Sequence, residues 1–202
     1  MREREPWSIH SDLTRDRLIE VARLISYGRN DALDRHNPSV GDNTWTLGCS
    51  AFQFQRFRIS AACAGGKYPW LSLIDPSMQF VFKIGSVPVR FYAGPAEEPN
   101  SRTLSQSFPE LHQLSLFPRE SEARGYAHRI AVETDFDGAV TAIKYVALDD
   151  DQPAFFWDIP LAALVSPMHE VGKTLAKGVE LPPPAIVVPG EDEEVDVDKR
   201  SA

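Results

Sequence analysis

Apolar side chains recur at three- and four-residue intervals near the start of the chain. Leu13, Leu18, Val21, Ala22, Leu24 and Ile25 fall on one side, and Arg15, Arg17, Glu20 and Arg23 on the other. This is the period of a helix with a single buried stripe. Ser11 or Asp12 can cap its start, and Gly28 marks its stop. Residues 29–50 mix Asn, Asp, Gly and Pro with isolated apolar positions such as Trp45 and Leu47. They read as a long connection holding at most one short turn of helix. From Phe52 the period shortens to two, and four runs follow, each ended by turn residues. Residues 53–64 end at Gly65-Gly66, residues 68–74 before Asp75-Pro76-Ser77, and residues 78–84 at Gly85-Ser86. The fourth, residues 87–92, places Val87, Val89 and Phe91 on one face and Pro88, Arg90 and Tyr92 on the other. Proline cannot donate to a ladder, so that strand should lie at an edge or have its start there. Connections this short predict a four-stranded antiparallel meander.

Beyond a polar loop at residues 94–103, Ser107-Phe108-Pro109-Glu110 has the residues of a helix start. Serine stands at the cap, proline in the first turn and glutamate at the capping-box position, leading on through Leu111 and Leu114. Residues 126–134 and 139–148 alternate again across Asp135-Phe136-Asp137-Gly138, a hairpin turn by composition. Ala154-Phe155-Phe156-Trp157 is a further strand, and Asp158 can cap a short helix from Ile159 to Val165. The expected fold class is α+β. An antiparallel sheet of about six to seven strands, meander plus hairpin, packs with the N-terminal helix and short helices. Residues 1–177 form one domain in this reading. Residues 178–202, with Pro182-Pro183-Pro184 and a closing acidic run, read as a flexible Pro-rich and acidic tail.

The chain has 202 residues, and its 43% hydrophobic content is enough to bury a core without metals or staples. No stretch approaches the roughly 20 apolar residues that a membrane helix needs. The first six residues have mixed charge and no apolar run of the signal-peptide kind. A cytoplasmic protein without membrane contact is expected, with Cys49 and Cys63 as reduced thiols. The net charge of −8 is unevenly spread. Residues 191–202 hold six acidic and two basic side chains and so carry −4, which leaves −4 for the first 190 residues. Overall acidity therefore says little about which surface a partner would meet.

No set of reactive residues stands at a spacing that demands chemistry. Cys49, in Leu47-Gly48-Cys49-Ser50, would need a base; His36, His112, His128 and His169 are equally available, so a small buried cysteine is the simpler reading. Asp75 with Phe80-Val81-Phe82-Lys83 resembles nuclease cores that end a strand in acidic-x-Lys, yet Val81 stands where the second carboxylate belongs. A nucleic-acid-acting alternative would use Asp75, Lys83 and Arg90. Asp135-x-Asp137-Gly138 lacks the later ligands of a calcium loop, and Asp149 to Asp151 read as a solvated connection. Gly65-Gly66-Lys67 lacks the spacing of a phosphate loop. Neither a metal nor a cofactor is expected.

Basic and aromatic residues of the first sheet form the candidate binding set: Arg56 and Arg58 on one strand face, with Trp70, Lys83, Arg90 and Tyr92 on its neighbours. Such a face can stack bases and neutralise phosphates, dock a protein, or simply be solvated. The stretch from Phe80 through Lys83-Ile84-Gly85-Ser86-Val87-Pro88-Val89-Arg90-Phe91-Tyr92 to Pro95, with Leu111-His112-Gln113-Leu114, resembles uncharacterised bacterial proteins. Those are encoded beside regulators that fuse a helix-turn-helix to a zinc-peptidase-like domain. The resemblance implies a partner and brings no catalytic residue. The expected function is a non-enzymatic protein-interaction component of a bacterial toxin–antitoxin or phage-defence pair. A nuclease-like enzyme or a nucleic-acid-binding module using the same face is the alternative.

Overall fold

A computed structural model describes residues 4–108, 110, 126–149 and 152–160. The chain divides into two compact units, Met1–Pro167 and Met168–Ala202, and the described residues all belong to the first. The expected tail at residues 178–202, the helix from Ile159 to Val165 beyond Pro160, and most of the helix that starts at Ser107 lie outside them.

The first unit is α+β. Two long helices, α1 (Arg15–Arg35) and α2 (Thr44–Ala64), precede a sheet whose strands stand in chain order: β1 (Leu71–Asp75), β2 (Val81–Ile84), β3 (Val87–Ala93), β4 (Tyr126–Thr134), β5 (Val140–Asp149) and β6 (Gln152–Asp158). All neighbouring pairs are antiparallel except β3 and β4, which run parallel. A parallel pair needs a crossover. Here residues 94–125 make it, with a short helix α3 (Ser101–Leu104) on the way.

Four expectations are corrected. Residues 53–64 are helix, not strand, so the first meander has three strands. Buried positions in α2 are Leu47, Ala51, Gln55 and Ile59, a strict four-residue repeat. The alternating phenylalanines are not that stripe: Phe57 is exposed, and Phe54 is half-buried beneath the Arg35 guanidinium, 4.8 Å from its ring centre. Gly65-Gly66 is the helix exit, with Gly66 in the left-handed conformation at φ +66°. Residues 29–50 are not a long connection either. α1 runs on to Arg35, and α2 opens at Asn43, whose side chain accepts from Trp45 and Thr46 while Thr46 Oγ1 accepts from the Asn43 N–H. Finally, Gly28 does not end α1. A Cβ there would stand 2.6 Å from the Gln55 backbone, so Gly28 is where the antiparallel helices touch. Thr14, not Ser11 or Asp12, caps α1.

Asp12 instead holds the β2–β3 turn. Its carboxylate accepts from the Ser86 N–H and hydroxyl, both at 2.9 Å, and from Arg17 at 2.7 Å. Gly85, at φ +63°, lets the turn approach it so closely that a Cβ would overlap the Asp12 carboxylate carbon at 2.1 Å. The two-residue loop makes Ile84 and Val87 the closing pair, so the Pro88 nitrogen faces β4, whose register with β3 begins only at Val89. β3 is thus a central strand that tolerates proline at its start.

One sheet face packs on the helices through Phe82, Ile84, Val87, Val89, Phe91, Ile130, Ile143, Tyr145 and Phe155, which meet Leu18, Val21, Ile25 and Ile59. The other carries Ala127, Ala131, Val146 and Leu148, with Tyr92, Ala96, Leu104 and Phe156 against them. No described helix is long and apolar enough to cross a membrane.

Two outcomes follow from these contacts. Gly28→Ala, although it improves helix propensity by about 1 kcal/mol, should lower stability by about 2 kcal/mol net through the clash with α2, read from urea unfolding. For Asp12, burial raises the carboxyl pKa, but the Ser86 N–H, Arg17 and the Ser86 hydroxyl outweigh it and leave the pKa below 3.8. A depressed folded-state pKa contributes stability that is complete above the unfolded value of about 3.9 and is lost as pH falls through the folded one. Asp12→Asn should therefore flatten the acid limb of the stability curve below about pH 4; an unchanged limb would show that other groups set it.

Candidate functional site: a cleft at the open edge of β3

β2 pairs with β3 only from Val87 to Val89, because the chain turns out of the sheet at Phe80. Phe80 has φ +38°, a conformation rare for a bulky side chain, and its buried ring packs edge-on against Phe91 with centroids 5.9 Å apart. β3 itself runs on to Ala93 beside β4. Backbone groups alternate between a strand's two sides. The Gly94 N–H bonds Val132 O at 3.0 Å on the β4 side, so Arg90 and Tyr92 also face β4, while Phe91 and Ala93 direct their N–H and C=O to the line that β2 has left. Among the described residues no strand pairs with β3 on that side beyond Val89.

A cleft of about 540 Å³ opens along that line. Trp45, Gly48, Cys49 and Phe52 of α2 form one wall, Met78 and Gln79 one end, and Asn100 and Thr103 of the crossover the other wall, with Arg90, Tyr92 and Arg129 beside β3. Trp45 is 75% exposed and Met78 61%, so the rim is apolar and open.

Behind this cleft lies a buried ion cluster. Arg90 and Arg129 are register partners on β3 and β4, so their side chains lie side by side on one face. Glu110, from the crossover, stands between them: its Oε1 accepts from Arg129, and its Oε2 faces Arg90 Nη1 at 3.5 Å. The same Oε2 accepts from the Ser107 N–H at 2.8 Å and hydroxyl at 2.9 Å, the contact expected of a capping glutamate. Exposures are 1% for Arg129, 2% for Glu110 and 9% for Arg90. Arg129 also donates to Thr103 O at 2.9 Å and Arg90 to Ser105 O at 3.1 Å, so both arginines hold the crossover against the sheet. Burial lowers the pKa of Arg129, against the pull of the Glu110 carboxylate. For Tyr92, burial first and then Glu133 and Glu97 push the phenol up to about 12, which keeps it neutral.

Of the residues singled out in the sequence, Arg90 and Tyr92 line the cleft. Lys83 shares their sheet face, opposite Pro88, but lies beyond the cleft. Arg56 and Arg58 are corrected: they sit on α2 rather than on a strand. Arg58 forms a two-pronged pair with Asp31 at 2.7 and 2.9 Å. Arg56 reaches Pro76 O and lies between the rings of Phe52 and Phe80. Trp70 precedes β1 and packs against Tyr68 and Arg17. Asp75 binds the N–H of Ser77 at 2.8 Å in its own turn. Asp75, Lys83 and Arg90 therefore do not meet in the cleft. Sequence reading missed Arg129 and Glu110, although a charged residue at an inward position of a strongly alternating strand is itself a signal.

The described cleft lining contains no histidine and no carboxylate. Cys49 is exposed there and His36 does not line it. His10, Asp12 and Ser86 resemble a nucleophile set, with His10 Nε2 to Ser86 Oγ at 3.2 Å. However, the Asp12 N–H donates to His10 Nδ1, so in the neutral ring Nε2 holds the proton and cannot accept one from serine. No group of three or more metal-ligating side chains occurs among the described residues. Comparisons with protein-family models, with curated proteins and with solved structures find no match.

Glu110→Gln should cost about 3 kcal/mol or more in urea unfolding, because two buried guanidinium groups lose their shared counter-charge. A change below about 1 kcal/mol would mean that the cluster is effectively solvated.

Proposed function

We propose that this protein is a non-enzymatic interaction component of the bacterial cytoplasm, one half of a toxin–antitoxin or phage-defence pair, which receives an extended segment of its protein partner in the cleft beside β3. One observation carries the reading: among the described residues no strand pairs with β3 on the side to which Phe91 and Ala93 direct their N–H and C=O groups, and a cleft of about 540 Å³ opens there. A strand laid along that line continues the course of β2, gains main-chain hydrogen bonds and puts its side chains alternately into the two walls. The pairing of the chain with a regulator rests on its sequence resemblance alone. The alternative, an enzyme acting on nucleic acid through Asp75, Lys83 and Arg90, is less well supported, since only Arg90 lines the cleft and the described lining offers no general base.

Cys49 lies in the cleft and gives a direct test. In a Cys63→Ser background, a photocrosslinker on Cys49 should capture the same partner reproducibly from the native host. Ala93→Pro removes the N–H that faces the cleft and spares the β4 side, so it should abolish capture while the thermal transition is retained. Equal capture by the folded Ala93→Pro variant would sink the strand-addition reading.

A further inference from the structure

The cleft has a charge imbalance that fixes the chemistry of its occupant. Arg90 and Arg129 share one carboxylate, that of Glu110 behind the cleft, and the described lining holds no acid. Among the described residues, two guanidinium groups thus face one carboxylate, a balance of one positive charge. Arg90 uses Nη1 on Ser105 O and Glu110, while its Nε and Nη2 have no hydrogen-bond partner among the described residues and keep contact with solvent, the side chain being 11% exposed. Arg90 lines the cleft, and the contacts of its Nη1 with Ser105 O and Glu110 hold the side chain in place. A largely buried guanidinium that is held in place and has free donors binds a carboxylate more strongly than a surface arginine does, and it rejects an apolar group.

Geometry adds a second constraint. A strand on the β3 edge alternates its side chains between the two sheet faces. On the helix face they meet Phe52 and Trp45, and on the opposite face they meet Arg90, Tyr92 and Thr103. The occupant is therefore two-sided in composition.

From this we infer that the cleft recognises a short extended segment of a partner protein in which one acidic residue, its carboxylate facing Arg90, is flanked by apolar residues whose side chains face Phe52 and Trp45. This rests on the strand-addition reading above and specifies what the added strand must carry.

The test uses the full chain. Random peptides of about seven residues, displayed on phage, are selected on the wild-type protein, and the best is synthesised with each Glu or Asp also replaced by its amide. The expected result is enrichment of an acidic residue at one position with apolar residues on either side of it, and binding about tenfold weaker for the amide version. Arg90→Gln should bind the acidic peptide about as weakly as the wild type binds the amide peptide, and should no longer distinguish the two. Because the amide comparison is made on the wild type, it holds even if Arg90→Gln fails to fold. Apolar peptides selected without acidic enrichment would overturn the carboxylate inference and leave strand addition standing. Acidic peptides whose binding survives Ala93→Pro would overturn strand addition. Failure to select any peptide would overturn both.

Discussion

Parallel pairing of β3 with β4 is the constraint from which the rest of the molecule follows. It sets Arg90 and Arg129 side by side on the sheet face away from the helices, and it obliges the intervening chain to cross over rather than turn back. The crossover returns along that same face and supplies Glu110, together with the carbonyl groups of Thr103 and Ser105, to two cations that would otherwise be stranded. Neither arrangement is stable alone. Guanidinium groups this deeply buried need a counter-charge, and a long connection needs something on the sheet to hold it. The ion cluster satisfies both needs and closes one wall of the cleft.

Much of the fold was legible in the sequence, and the errors have physical causes. Strands β2 to β6 sit close to their expected positions because each is a short apolar or alternating run bounded by turn residues whose chemistry matches, such as Asp135 accepting from the Ala139 N–H at 2.8 Å. Helix α2 was missed because Phe52 and Phe54, then Phe57 and Ile59, stand two residues apart, while its true buried line, Leu47, Ala51, Gln55 and Ile59, consists partly of small or polar residues. Large apolar residues dominate a periodicity argument even when they face water or lie under an arginine. Its capping box was also hidden, since Thr46 occupies the place where glutamate or glutamine is the familiar sign. Gly28 misled in the same way: a glycine in an amphipathic run reads as a stop, but two helices meeting backbone to backbone need one as well.

The site was legible only in part. Arg90 and Tyr92 follow from the alternation of β3, and the face they share with Lys83 was read correctly. That the arginine is buried, paired through Glu110 with a second arginine and aimed into a cleft depends on the crossover, and no local pattern records a crossover. Arg56 and Arg58 illustrate the converse. Once their segment is a helix, their charges serve to hold it, Arg58 to α1 through Asp31 and Arg56 to the turn after β1.

The positive φ of Phe80 has a further meaning. Regular β geometry at this one residue would let the chain zip along β3 past Val89 and fill the groove from within. A left-handed backbone at a bulky residue costs on the order of 1–3 kcal/mol, and here the buried packing of its ring against Phe91 offsets that cost. The open edge thus depends on a single torsion whose side chain is buried in the hydrophobic core beside Phe91, so the packing of the core and the accessibility of the groove are tied to one residue.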